Sequence, residues 1–172
     1  MSYLRKKGRE DLLICPQIPV EPEQARNFLE RLVEETLTDF TISFAGSSLG
    51  GYYATYLAEK YDSTAVLINP SVKPYETLKP YLGENKFYFE DGCWDFSEIH
   101  IEQLRAIDVD SLSDSQRYMV LLQTGDEVLD YSEAEKKYRS SRCIIEQGGD
   151  HSFIGFERHL SEIMKFSNID LD

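Results

Sequence analysis

The feature that most constrains this chain is a pentapeptide with a strand before it and a helix after it. Gly46-Ser47-Ser48-Leu49-Gly50 matches G-x-S-x-G; Phe40 to Ala45 ahead of it is rich in β-formers, and Tyr52 to Tyr61 behind it reads as a helix. Such a turn throws its middle residue clear of a sheet on a strained backbone. Gly46 and Gly50 are expected to remove the Cβ atoms that would collide there. Ser48 is the nucleophile candidate. Ser47 competes, but only Ser48 stands midway between the two glycines, so Ser47 is read as support for the turn. The backbone N–H of Leu49, in the first helical turn, has no intrahelical acceptor and is free to face a developing oxyanion.

The rest of the chain repeats the same alternation. Leu12 to Cys15 is a short apolar run stopped by Pro16 and Pro19, read as a buried strand end. Pro22 to Thr36 carries Ala25, Phe28, Leu29 and Leu32 on one helical face, with Pro22 at the first helical position. Thr64 to Ile68, Tyr118 to Leu122 and Cys143 to Ile145 are apolar runs, each followed by polar or Gly/Pro punctuation, and an amphipathic helix is expected over Phe156 to Phe166. Strands alternating with helices predict an α/β fold with a mostly parallel sheet. The length of 172 residues fits one domain over 1–172, able to bury about 70% of its unfolded surface. Between 71 and 117 the rhythm gives way to aromatics (Tyr75, Tyr81, Trp94 and Phe96 among them). This stretch is read as an insertion, either a cap over the sheet's carboxyl edge or aromatics packed onto the main core. Within it Lys86 to Glu90 and Cys93 to Phe96 flank Asp91-Gly92 as a hairpin, and Glu98 to Ile107 reads as a short helix.

A serine hydroxyl needs a base, and histidine has the suitable pKa. Of the three histidines, His100 lies in the insertion at helical spacing with Leu104, and His159 falls on the last helix at a position read as solvated surface. His151 follows a strand and two glycines, on a loop at the sheet edge that the nucleophile turn also faces. The acid that orients the imidazole belongs at the end of a neighbouring strand. Asp126 is placed so, Asp130 is the near rival, and Asp150 adjoins the histidine but is expected to point elsewhere. The chain order is then serine, acid, histidine.

Composition narrows the partners. With 31 acidic against 18 basic residues the net charge is −13, so the surface repels phosphate backbones and anionic headgroups; neither nucleic acid nor membrane is expected as a partner. No apolar run is long enough to span a bilayer, and the N-terminus lacks a signal-like segment, so a cytoplasmic location is expected. The cysteines Cys15, Cys93 and Cys143 are odd in number and far apart, and neither His-Glu-x-x-His nor a Cys/His cluster occurs. No metal or other cofactor is expected.

At these residues the sequence resembles the small YqiA-like (UPF0227) esterases of the α/β-hydrolase superfamily. The resemblance is carried by GSSLGGYYATYLAEKY from Gly46, VLINPSVKPYETLKPYLG from Val66, LLQTGDEVLDY from Leu121 and GGDHSFIGFE from Gly148. It implies an α/β-hydrolase-type sheet flanked by helices and a carboxylic-ester or thioester hydrolase using Ser48, Asp126 and His151 on a small acyl ester. The family's chain opens with a strand ending in a His-Gly-Phe-like loop that supplies a second oxyanion donor. This sequence shows no such segment and enters the family pattern near Leu12, about 30 residues late. The expected fold therefore lacks that N-terminal strand and oxyanion loop. Two readings follow: a gene begun late at an internal methionine, or a shortened paralogue that has lost catalysis and serves as a binding protein.

Overall fold

The computed structural model describes residues 2–36, 38–86 and 92–170. The helices are α1 (Ser2–Lys6), α2 (Pro22–Arg31), α3 (Leu49–Lys60), α4 (Pro74–Thr77), α5 (Glu98–Arg105), α6 (Tyr131–Lys137) and α7 (Leu160–Phe166). The strands are β1 (Ser43–Ser48), β2 (Thr64–Pro70), β3 (Gly83–Lys86), β4 (Cys93–Phe96), β5 (Tyr118–Gln123) and β6 (Arg142–Glu146). Four of the strands form a sheet in the order β1-β2-β5-β6, every neighbour parallel. Parallel strands need crossovers, and α3 between β1 and β2 and α6 between β5 and β6 supply them.

Helices cover both faces, so the central strands read as unbroken apolar runs. On one face Ala65 and Leu67 of β2 and Tyr118, Val120 and Leu122 of β5 meet Ala54 and Ala58 of α3, Ala134 of α6, and Tyr138. On the other, the alternate residues Val66, Ile68, Met119 and Leu121 meet Phe153 and Ile163. Each large side chain buried in this way contributes roughly 1.5–3 kcal/mol. At the lower end of β5 the Glu59 carboxylate accepts from the Tyr118 hydroxyl and the Ser113 N–H and pairs with Arg117 at 3.3 Å. Burial pushes the Glu59 carboxyl upward, but these contacts outweigh it and hold it below its usual value.

The aromatic insertion packs sideways. Phe96, Ile101, Leu104 and Ile107 form a cluster with Ala25 and Leu29 of α2 and Tyr52, Tyr53 and Leu57 of α3. Ser97 caps α5 together with His100, whose Nδ1 accepts the Ser97 N–H at 2.9 Å; the ring is buried and stacks on Phe96. That accounts for His100 structurally. β3 and β4 pair antiparallel, with Lys86 opposite Cys93, so the hairpin ladder begins earlier than the sequence pattern placed it. The rest of the expected strand at Lys86 to Glu90, and Asp91 of the turn, lie outside the described residues.

Two local expectations are corrected. Leu12 to Cys15 forms no strand: a 3-10 turn at Glu10–Leu12 gives way to an unpaired stretch in which Ile14 and Val20 are each 50% exposed. An apolar run becomes a strand only beside a partner, and Pro16 and Pro19 have no N–H to offer one. The helix expected over Pro22 to Thr36 is α-helical only to Arg31 and finishes as a π-helical turn, Leu32–Thr36.

Candidate active site

Because the four strands run parallel, their carboxyl ends share one edge, where open α/β sheets bind ligands. Ser48 ends β1, Asp126 lies just past β5 and His151 just past β6. Ser48 adopts φ 51° and ψ −125°, a strained conformation for a residue with a side chain, and its carbonyl accepts the N–H of Ser71 at 3.0 Å. Leu49 is the first residue of α3, where a backbone N–H has no acceptor within the helix.

The glycine expectation is half right. A Cβ on Gly46 would stand 2.2 Å from the Gly50 carbonyl oxygen, so Gly46 lets α3 close onto the end of β1. A Cβ on Gly50 would meet nothing within 4 Å, and the second close approach belongs to Gly51, 2.7 Å from the Pro70 Cβ.

Asp126 is the acid that meets the histidine. Both of its oxygens lie 2.9 Å from His151 Nδ1, and Oδ1 also accepts the N–H groups of Val128 and Leu129, each at 2.9 Å. Its side chain is 2% exposed, which shields the pair from solvent. The rivals are engaged elsewhere: Asp130 caps α6 through the Ser132 N–H, and Asp150 accepts the N–H and hydroxyl of Ser152. His151 is held by its own N–H as well, which donates to Glu127 at 3.1 Å. The structure thus joins Asp126 to His151, whereas among the described residues no hydrogen bond joins the Ser48 hydroxyl to the imidazole.

Sequence reasoning did not single out Asn69 or Gln123, both 2% exposed at this edge. Gln123 Oε1 accepts the N–H groups of Asp150 and Ile154, while Nε2 donates to Glu146 and to the Ile154 carbonyl. His159, expected on a solvated face, is only 12% exposed at its side chain: its ring packs edge-on against Phe153 and Nε2 meets Glu146 at 3.0 Å. The hydrogen bond from Gln123, then that from Arg158, hold the Glu146 carboxyl at about 2, against its usual 4.5; burial opposes them, and His159 and the charge of Arg158 reinforce them. A depressed folded pKa stabilises fully above the unfolded value and loses that contribution as pH falls towards the folded one. The urea midpoint is therefore expected to drop between pH 4.5 and about 2 in a way that a Glu146→Gln variant lacks. Equal pH dependence in parent and variant would refute this.

Among the described residues no helix is long and apolar enough to cross a membrane. Solved structures with the same architecture include a protein described as a putative hydrolase, from Agrobacterium vitis S4 (TM-score 0.66, 17% identity, covering 84% of this chain and 68% of that one). Mouse alpha/beta hydrolase domain-containing protein 10 aligns at TM-score 0.62 and 16% identity, over 84% of this chain and 67% of that one. Est1E from Butyrivibrio proteoclasticus, determined with ferulic acid bound, aligns at TM-score 0.59 and 13% identity, over 86% and 66% respectively. These likenesses establish the α/β-hydrolase fold. The sequence pattern of the uncharacterised protein family UPF0227 matches residues 2–168, and with nearly its whole length inside that match the chain belongs to UPF0227.

Proposed function

We propose that this chain is a serine hydrolase of carboxylic esters or thioesters with short or medium acyl groups. The observation that carries the reading is the shielded Asp126–His151 pair, set at the same sheet edge as a serine on a strained strand-to-helix turn. Ser48 Oγ attacks the acyl carbon as His151 Nε2 takes its proton, and the N–H of Leu49 donates to the oxyanion. The protonated imidazole, its charge offset by Asp126, returns the proton to the leaving alcohol or thiol, giving an acyl-enzyme on Ser48. Water, deprotonated by the same imidazole, then releases the acid. Val128 and Ile154, on the loops that carry Asp126 and His151, are each 57% exposed, apolar surface of the kind an acyl chain can cover. The ferulic acid on Est1E, a carboxylic acid, belongs to the product class this reading requires.

One observation favours the competing reading of a non-catalytic acyl-binding relative, namely the missing hydrogen bond between Ser48 and His151 among the described residues. Such contacts are commonly long in the absence of substrate and tighten in the Michaelis complex. A fluorophosphonate separates the readings. One adduct per chain is expected on the Ser48 peptide, absent from Ser48→Ala and strongly slowed in His151→Ala. A folded sample that takes no label would overturn the hydrolase reading and favour the binding one.

A further inference from the structure

In the sheet order β1-β2-β5-β6, Ser48 and the loop bearing His151 leave opposite outer strands, about 14 Å apart at usual strand spacing. A histidine that serves the serine must therefore be carried back across the end of β5 and held there. The device that holds it starts from an irregularity in β2. The β1–β2 register runs Ser47 to Ile68 and then Ser48 to Pro70, leaving Asn69 unmatched, and Asn69 has φ 38°. A bulge of this kind re-aims a side chain, and asparagine tolerates the left-handed backbone it imposes.

The Asn69 side chain spans the gap. Its Oδ1 accepts the N–H of Gln123 at 2.9 Å, extending the β2–β5 ladder beyond the last backbone pair, Ile68 with Leu121. Its Nδ2 donates to the carbonyls of Asp150 at 3.0 Å and His151 at 3.2 Å. From β5 the Gln123 side chain grips the same loop through the N–H of Asp150. The fit is close enough that a Cβ on Gly149, at φ 76°, would lie 1.9 Å from Gln123 Oε1.

We infer that Asn69 is a positioning residue for the base: bulged out of β2, its amide ties the backbone of Asp150 and His151 over β5, so that Nδ1 meets Asp126 and Nε2 is turned towards Ser48. The inference rests on the proposed hydrolase chemistry for its kinetic consequence, while the hold on the imidazole can be observed without turnover. Asn69→Asp keeps the shape, the backbone preference and the acceptor for Gln123, but sets a carboxylate oxygen against two carbonyls. Asn69→Gly keeps the backbone and removes the side chain.

The test follows the His151 Nδ1 proton by NMR in histidine-15N-labelled protein, assigned by its loss in His151→Gln, alongside steady-state ester hydrolysis. In the parent a downfield Nδ1 proton is expected. In both variants it should broaden or move upfield, with kcat about 100-fold lower at little-changed KM, since a misplacement of about 1 Å at a reacting group costs on that order. An unmoved resonance in a folded variant overturns the inference and leaves the hydrolase reading standing. A shifted resonance in protein that hydrolyses no ester supports the inference and sinks the hydrolase reading instead. Absence of the resonance in the parent, or failure of both variants to fold, also overturns it, the latter by assigning Asn69 to the core.

Discussion

Asp126→Asn is expected to lower ester turnover by about 10⁴-fold while leaving the fold in place. The size of the effect follows from how the carboxylate is tethered. Oδ1 accepts the N–H groups of Val128 and Leu129, both at 2.9 Å, so an asparagine must keep its carbonyl oxygen at that position and put its NH2 where Oδ2 was. Oδ2 is the oxygen that faces His151 Nδ1 at 2.9 Å without sharing itself with the backbone. Nδ1 stands 2.9 Å from both oxygens, so the new NH2 competes with the retained carbonyl for it, and where the amide donates, Nδ1 becomes the acceptor and the imidazole's proton moves to Nε2. With Nε2 already protonated, the ring cannot take the proton of Ser48. It also loses the buried negative charge that would offset an imidazolium. Because the two backbone hydrogen bonds survive, circular dichroism should match the parent while ester hydrolysis and fluorophosphonate labelling collapse together. Turnover within threefold of the parent would remove Asp126 from the mechanism and reopen the case for Asp130.

How much of this was legible in the sequence depended on where each signal resides. β2 and β5 are buried on both faces, so Thr64 to Ile68 and Tyr118 to Leu122 had to be apolar without interruption, and such runs announce themselves. Leu12 to Cys15 carries the same local signal and forms no strand, because a strand is completed by a neighbour and a neighbour is not written into the run itself. Ser48, Asp126 and His151 could be placed at one sheet edge because each sits where a strand gives way to a turn, and turns have their own chemistry in glycine and aspartate. Asn69 could not. Its Asn-Pro context reads as an ordinary strand terminus, and its partners lie 54 residues away at Gln123 and 81 away at Asp150. His159 failed for a related reason: helical spacing gives its face, but only the fold places Glu146 opposite it.

The two glycines of the motif look equivalent in sequence, and the structure predicts opposite fates for them. Gly46→Ala would bring a Cβ to 2.2 Å from the Gly50 oxygen, 2.3 Å from its carbonyl carbon and 2.7 Å from the Gly51 nitrogen. All three are backbone atoms of the first turn of α3, so no rotamer change relieves the overlap, and the helix must back away from β1. A loss of about 3 kcal/mol or more is expected, at the upper end of overpacking costs. The displaced turn would also carry the Leu49 N–H away from its place beside Ser48, so labelling should fall even in molecules that remain folded. At Gly50 an added Cβ meets nothing within 4 Å, and alanine restricts the unfolded chain and favours helix. Gly50→Ala should therefore stabilise by about 0.5–1 kcal/mol. Urea midpoints of the two variants, measured beside the parent, decide the matter. Shifts of the same sign and similar size would mean that α3 does not close onto β1 through Gly46, and the strained turn beneath Ser48 would lose its structural basis.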